Sequence, residues 1–374
     1  MQGVFKVGLV GFGSVARVHM NAYRNLRTIR VVAVVDTDPA KITEAKRDFD
    51  VPGYPTLDEM LGNVKLDIVC VCTPPAAHEI VVCRCAAARV HVLCEKPLAL
   101  SVEACERMVR ACHENGVRLC YGASYRYLPA IAAARELILK GGIGTVQLLR
   151  EHLVGGRGPA ARGTLRFDHY PRLGPGGSGM GLCDHGIHLI DAFGWLANSH
   201  ATRVWGRGNI SGEVQEPEFL HVQYANGAVG HLLYEDGTFS TDLPQEGIFG
   251  WAPGWGIGGT EEEDARSGGW QAHPSSIHVH GSSGSLRIFY YANALFWRDA
   301  GGVRQVTVPN RPVPANFSMQ LDAFAQAICA GNPTPVPGEV GLEACRILLA
   351  AYEGRSVSLR TAIVNAAASS EGAP

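Results

Sequence analysis

The apolar run over residues 4–10 stops at Gly11, and the chain continues as Phe12-Gly13-Ser14-Val15-Ala16 into a helical pattern over 15–24. A strand, a glycine turn and a helix in that order leave few folds open. Gly11 permits the tight turn, Gly13 lets a ligand come close to the backbone, and Ala16 keeps helix and strand near each other. Free N–H groups and the positive end of the peptide dipoles gather at such a helix start, which suits a pyrophosphate. The same turn also occurs in nucleotide-free α/β folds. Asp36, at the end of the next β-branched run, weighs toward a dinucleotide, because a carboxylate there can bond both ribose hydroxyls. It would repel a 2′-phosphate, so NAD is expected ahead of NADP.

Alternation continues through the first third of the chain. Asp38-Pro39 has the form of an N-cap with proline in the first helical position, and Thr56-Leu57-Asp58-Glu59 that of a capping box. Apolar runs at 68–72, 90–94 and 117–121 read as strands buried on both faces, separated by helical stretches at 76–88 and 101–113. This is the pattern of βαβ units and a parallel sheet, an α/β class. After a helix over 129–140 the texture changes. Strand-like segments at 145–153, 203–209, 218–224, 228–234, 277–280 and 285–290 follow one another, with Asn226-Gly227 as a hairpin signal. A second domain with a largely antiparallel sheet is expected from residue 126 to about 360, after a first domain over 1–125. Of the late helices, at 317–330 and 340–352, the first is expected to pack back on the first domain. Residues 361–374 read as a flexible tail. Two Gly-rich stretches, 155–179 and 237–274, are long enough for functional or disordered loops.

The chain's 374 residues exceed one small core, and 46% apolar with 18% charged residues fits a globular protein. A net charge of −2 offers no basic field for nucleic acid. The odd count of eleven cysteines argues against a full disulfide set, and their C-x-C spacing against zinc, so no metal is expected. With no signal-peptide pattern and no apolar stretch of membrane-spanning length, a reducing, cytoplasmic location is expected.

Two further patches carry chemistry. Thr73-Pro74-Pro75, with His78 behind it, and Glu95-Lys96-Pro97 both end apolar strands at the edge where ligands lie in parallel sheets. A lysine in that crevice can donate to a developing alkoxide, although most lysines are simply solvated. Asp184 and His188 are spaced to share one helix face, followed by Asp191, and a glycine-rich run over 174–179 precedes them. The carboxylate can orient the imidazole, which titrates near neutrality. A core histidine in an amphipathic helix is the other reading. His185 ranks second.

Taken together, these residues resemble the Gfo/Idh/MocA oxidoreductase family over nearly the whole chain, from about residue 5 to 359. The resemblance rests on Gly11–Ala16, on Cys72-Thr73-Pro74 through His78 to Cys94-Glu95-Lys96-Pro97, on Gly144-Thr145-Val146, and on the glycine run leading to Asp184 and His188. It implies a Rossmann doubly wound parallel sheet followed by an α+β domain with an open, mostly antiparallel sheet, often used for dimer or tetramer contacts. It implies a nicotinamide ring between Lys96 and the helix of His188, and commonly a cis peptide before Pro97. Gly11, Phe12, Gly13, Ser14, Val15, Asp36, Thr73, Pro74, His78, Glu95, Lys96 and Pro97 would then hold the cofactor. Lys96, Asp184 and His188 would act on substrate, and Arg126, in Tyr125-Arg126-Tyr127, would contact it. The expected activity is hydride transfer between NAD and a secondary alcohol of a sugar, sugar derivative or cyclitol. Two alternatives stand beside it: a glycosidase or lyase that retains NAD for a transient oxidation, and a dinucleotide-binding sensor. Arg157, Arg162, Arg166 and Arg172 could meet an acidic group, and Trp251, Trp255 and Trp270 could stack on a sugar face.

Overall fold

The computed structural model describes residues 4–156, 180–208, 217–239, 276–311, 315–353 and 357–358. The arginines and tryptophans just named, the glycine run at 174–179 and the expected tail lie outside the described residues.

Six strands form the first sheet: β1 (Phe5–Val10), β2 (Ile29–Val35), β3 (Gly53–Tyr54), β4 (Ile68–Val71), β5 (His91–Cys94) and β6 (Leu119–Tyr121). Their order is β3-β2-β1-β4-β5-β6, and every pairing is parallel. Helices α1 (Ser14–Tyr23), α2 (Pro39–Phe49), α3 (Leu57–Asn63), α4 (His78–Ala87) and α5 (Val102–Glu114) make the crossovers. Helices on both sides explain why all four residues of β4 are buried. The two expected caps form, with the Asp38 side chain accepting from the Ala40 N–H and Thr56 from Glu59, and the structure adds a third, Ser101 accepting from Ala104. Strand order reverses between β1 and β4, and this switch point opens the crevice at the carboxyl ends of the strands.

Helix α6 (Pro129–Leu139) leads to the second sheet, which begins with β7 (Val146–Gly156). A π-helical turn at Met180–Gly186 runs into α7 (Ile187–Ala197). The sheet continues with β8 (Ala201–Arg207), β9 (Glu218–Tyr224), β10 (Val229–Phe239), β11 (Ile277–Gly281), β12 (Ser285–Phe289), β13 (Ala294–Asp299) and β14 (Gly302–Val306). Helices α8 (Ala315–Ala330) and α9 (Gly338–Tyr352) precede a short β15 (Val357–Ser358). The order is β14-β13-β12-β11-β7-β10-β9-β8-β15, antiparallel except for the central β7–β10 pair. Asn226-Gly227 makes the β9–β10 turn, where Gly227 adopts φ +88°.

Helix α8 packs against the parallel-sheet half of the chain. Its Phe317 ring lies 4.6 Å from that of His19, Asp322 accepts from Thr28 at 2.9 Å, and Gln320 donates to the Tyr121 carbonyl at 3.1 Å. One continuous apolar core spans both domains, including Leu9, Val69, Leu93, Leu149, Phe193, Leu220 and Phe324. All eleven cysteines are free thiols, eight of them buried. Among the described residues, no helix is long and apolar enough to cross a membrane, and no group of His, Cys, Asp or Glu is placed to hold a metal.

Candidate active site

The turn after β1 behaves as its glycines require. Gly11 adopts φ +86°, and a Cβ there would sit 2.8 Å from the Cys72 carbonyl oxygen and the Thr73 nitrogen. Only glycine lets this turn and the one after β4 touch. A Cβ on Gly13 would meet nothing within 4 Å, so open space faces the start of α1, whose N-terminus has no side-chain cap. Ser14 and Val15 form that first turn. Asp36 is nearly buried; its carboxylate accepts from the Phe12 N–H at 2.7 Å and the Asp38 N–H at 2.9 Å. Across the crevice the Thr73 hydroxyl is buried and has no hydrogen-bond partner among the described residues. An uncapped helix start, a clear approach at Gly13, a carboxylate at the end of β2 and an orphaned hydroxyl after β4 together fit a dinucleotide.

Two residues expected among the cofactor contacts prove to be struts. His78 has no exposed surface. Its Nε2 pairs with the Thr73 carbonyl at 2.9 Å and its Nδ1 with the Pro97 carbonyl at 3.0 Å, so it ties together the turns after β4 and β5. Burial holds its pKa below the ordinary value, against those carbonyls, which favour the cation. Glu95 is 6% exposed, takes a 2.8 Å hydrogen bond from His19 on α1 and a 3.2 Å bond from the Lys96 N–H. Burial pushes its carboxyl up, but His19 and Lys96 outweigh that and hold it low. Both residues position the crevice from beneath. The Lys96–Pro97 peptide is cis.

Lys96 crosses to the second domain. Its Nζ donates to Asp184 Oδ1 at 2.6 Å and to the Asp184 carbonyl at 3.0 Å. Asp184 and His188 do not lie on one unbroken α-helix: the carboxylate comes from the π-helical turn and the imidazole from the first turn of α7. A side chain on Gly181 would collide with Glu218, whose carboxylate accepts from the Leu182 N–H at 2.9 Å. His188 stacks on the Tyr125 ring, with centroids 4.0 Å apart and planes at 7°. Its pKa lies well below the ordinary value, first through burial and then through the Lys96 and His185 charges. Neutral imidazole is therefore the resting form.

Arg126 does not reach toward a ligand. Its guanidinium grips Asp191 at both oxygens, 2.9 and 2.6 Å, with the carboxylate side chain 1% exposed, and it lies over the Trp195 ring. Two guanidinium nitrogens are committed to Asp191, so the expected substrate contact gives way to a buried ion pair. Sequence reasoning passed over Tyr125, Glu151, Tyr290 and Tyr291, and it ranked His185 low; all five surround the Lys96–His188 edge. The alternation Leu149-x-Glu151 was the available signal, since it turns a carboxylate inward on a strand.

A nucleotide crevice on one domain, closed by a lysine that reaches a carboxylate on the other, defines a two-domain dinucleotide-dependent oxidoreductase. The chain belongs to the GFO/IDH/MocA oxidoreductase family. Residues 5–123 match its NAD-binding Rossmann fold and residues 131–246 its C-terminal domain. The chain is similar to an uncharacterized oxidoreductase, YrbE, of Bacillus subtilis, 23% identical over 95% of this chain and 96% of that protein. It is similar to the myo-inositol 2-dehydrogenase of Thermotoga maritima, 23% identical over 96% and 99%. Among solved structures, an oxidoreductase from Agrobacterium radiobacter in complex with NAD+, L-tartaric acid and magnesium superposes with a TM-score of 0.75 at 19% identity, covering 95% of this chain and 98% of that one.

Proposed function

We propose that the protein is an NAD-dependent dehydrogenase that oxidises a secondary alcohol of a sugar, sugar derivative or cyclitol. The observation that carries this reading is the Lys96–Asp184 contact at 2.6 Å across the crevice edge, with His188 on the following helix turn. Bound NAD supplies the hydride acceptor. Gly11, Phe12, Gly13, Ser14 and Val15 would cradle its pyrophosphate, Asp36 its ribose, and Thr73, Pro74 and Pro97 the walls beside the ring. Lys96 donates to the substrate oxygen and stabilises the negative charge that grows there as hydride leaves. Asp184 aims the ammonium. His188, held neutral, accepts from the substrate hydroxyl, and acid–base assistance of this kind contributes about 10²–10⁴-fold.

The resemblance to polyol dehydrogenases supports the substrate class, and the free thiols are consistent with a cytoplasmic enzyme; the assembly we infer is a homodimer or homotetramer. The test is a panel of cyclitols, free sugars and nucleotide-sugars incubated with NAD and followed by NADH absorbance. Net NADH with at least one member is expected. Turnover without net NADH would mark transient oxidation instead, and binding of NAD with no turnover of any member would mark a sensor.

A further inference from the structure

Behind Tyr125 lies a buried polar chain that the chemistry above does not use. Glu151 on β7 has no exposed surface. Its Oε2 accepts from the Tyr234 hydroxyl at 3.0 Å and its Oε1 from the Tyr290 hydroxyl. His185 Nε2 is 3.0 Å from the Tyr290 oxygen and 3.5 Å from Glu151 Oε2. On its other side, His185 Nδ1 is 3.3 Å from the Tyr125 oxygen, which is hydrogen-bonded to the Tyr291 hydroxyl. Tyr291 is only partly enclosed and feels the charges of both Lys96 and Asp184.

A carboxylate can only accept, and with His185 neutral this orders every proton in the row. Tyr290 gives its proton to Glu151, so its oxygen accepts from His185 Nε2–H. His185 Nδ1 then accepts from Tyr125, and the Tyr125 oxygen accepts from Tyr291. The Tyr291 oxygen ends the row, with lone pairs left over, within the electrostatic reach of Lys96 and Asp184. We propose that Tyr291, Tyr125, His185 and Glu151 form a proton relay that takes the proton of the substrate hydroxyl and holds it on His185 beside the Glu151 carboxylate.

The step balances. As hydride leaves the carbinol carbon, the hydroxyl proton passes to the Tyr291 oxygen, the Tyr291 proton to Tyr125, and the Tyr125 proton to His185 Nδ1. Both tyrosines end neutral, and His185 becomes imidazolium with its Nε2–H retained. Charge decides where the proton rests. His188 has the Lys96 ammonium as a neighbour, whereas His185 has a carboxylate 3.5 Å away. The groups facing His185 are Glu151 from β7, Tyr234 from β10, Tyr290 and Tyr291 after β12, Tyr125 before α6, and His188 and Asp184 on its own segment. The relay thereby replaces His188 as acceptor of the hydroxyl proton, and neutral His188 orients the substrate oxygen by donating its ring N–H.

The proposal rests on the dehydrogenase reading, and its test is arranged so that the two fail separately. In protein labelled with ¹⁵N-histidine, the His185 signals are assigned by their loss in His185→Asn, and long-range ¹H–¹⁵N correlations at pH 8 report which nitrogen carries the proton. The expected result is a proton on Nε2, with the Nδ1 signal moving in Tyr125→Phe and the Nε2 signal in Glu151→Gln. A proton on Nδ1, or signals indifferent to both substitutions, overturns the relay. With a panel member that yields NADH, single-turnover rates in H₂O/D₂O mixtures should depend on deuterium fraction along a curve, because several protons move. Tyr291→Phe should make that dependence linear and slow the step by about 10²-fold. A linear dependence in the native protein, or an unchanged curve in the variant, also overturns it. A panel that yields no NADH overturns the dehydrogenase reading, and the tautomer of His185 then decides the relay by itself.

Discussion

Replacing Lys96 with methionine keeps the length of the side chain and removes its charge. The ammonium bonds both the carboxylate and the carbonyl of Asp184, with side-chain exposures of 14% for Lys96 and 27% for Asp184. A donor aimed at a developing oxyanion is worth about 10²–10³ in rate, or about 2.7–4 kcal/mol. The structural cost is smaller. Asp184 stays in contact with solvent, so losing the ion pair costs only about 1 kcal/mol, a shift in Tm of about 1 °C for a chain of this size. A second signature follows from His188. Its pKa is depressed first by burial and next by Lys96. Removing Lys96 lifts that second pressure, so His188 protonates at higher pH. Since a protonated His188 can neither accept the hydroxyl proton nor tolerate a second charge on His185, the acid limb of NADH formation should move to higher pH, and Lys96→Arg, which keeps the charge, should leave it in place. The assay is single-turnover NADH absorbance from pH 5 to 9, with NAD binding measured in parallel by calorimetry. A rate within about threefold of native, with an unshifted acid limb, would refute the role given to Lys96, because so small a loss is under 1 kcal/mol of barrier.

Three further outcomes are expected. Asp36→Ser removes the charged acceptor of the Phe12 and Asp38 N–H groups, and should weaken NAD about tenfold, about 1.4 kcal/mol, while NADP weakens less; equal losses measured by calorimetry would contradict the ribose role. Arg126→Ala strands the Asp191 carboxylate in the core and should cost about 3–5 kcal/mol in urea unfolding, most of it regained in Arg126→Met with Asp191→Leu. A loss of turnover without loss of stability would return Arg126 to the substrate. Acid should destabilise the fold through its buried histidines. His78 and His188 have folded pKa values below the unfolded 6.5, and His231 is pushed down to about 4, chiefly by burial and then by His221, His152 and Arg150. Below 6.5 the unfolded chain binds more protons than the folded one, so stability is full above 6.5 and falls as pH drops toward 4. Tm should follow that window, with a shallower fall in His188→Gln; a flat Tm from pH 7 to 5 would count against buried neutral histidines.

The parallel sheet was legible because its strands are short apolar runs punctuated by Gly11, Asp36, Thr73 and Lys96, each at a strand's carboxyl end. The second sheet was legible where residues alternate, as in Glu218–Tyr224, whose burial also alternates. Strands β13 and β14 were missed because Arg298, Asp299 and Arg304 interrupt the pattern at a sheet edge, and β14 is mostly exposed. The π-helical turn was missed for a different reason: four-residue spacing shows which residues can share an α-helical face, not whether the hydrogen bonds run to the fifth residue. The Tyr125–His185–Glu151 chain draws on three distant segments, and no local spacing connects them. Arg126 was misplaced because an arginine in an aromatic stretch looks the same whether it meets a ligand or a buried carboxylate supplied 65 residues later.

The central claim is that Lys96 of the first domain and His188 of the second meet over one nicotinamide ring. A crystal structure of the protein with NAD+ measures this directly. The account predicts the pyrophosphate against Gly13 and the start of α1, and the ring between Lys96 and His188 with room for a carbinol carbon about 3–3.5 Å from its C4. A ring bound elsewhere, or Lys96 and His188 facing different cavities around the bound cofactor, would contradict it.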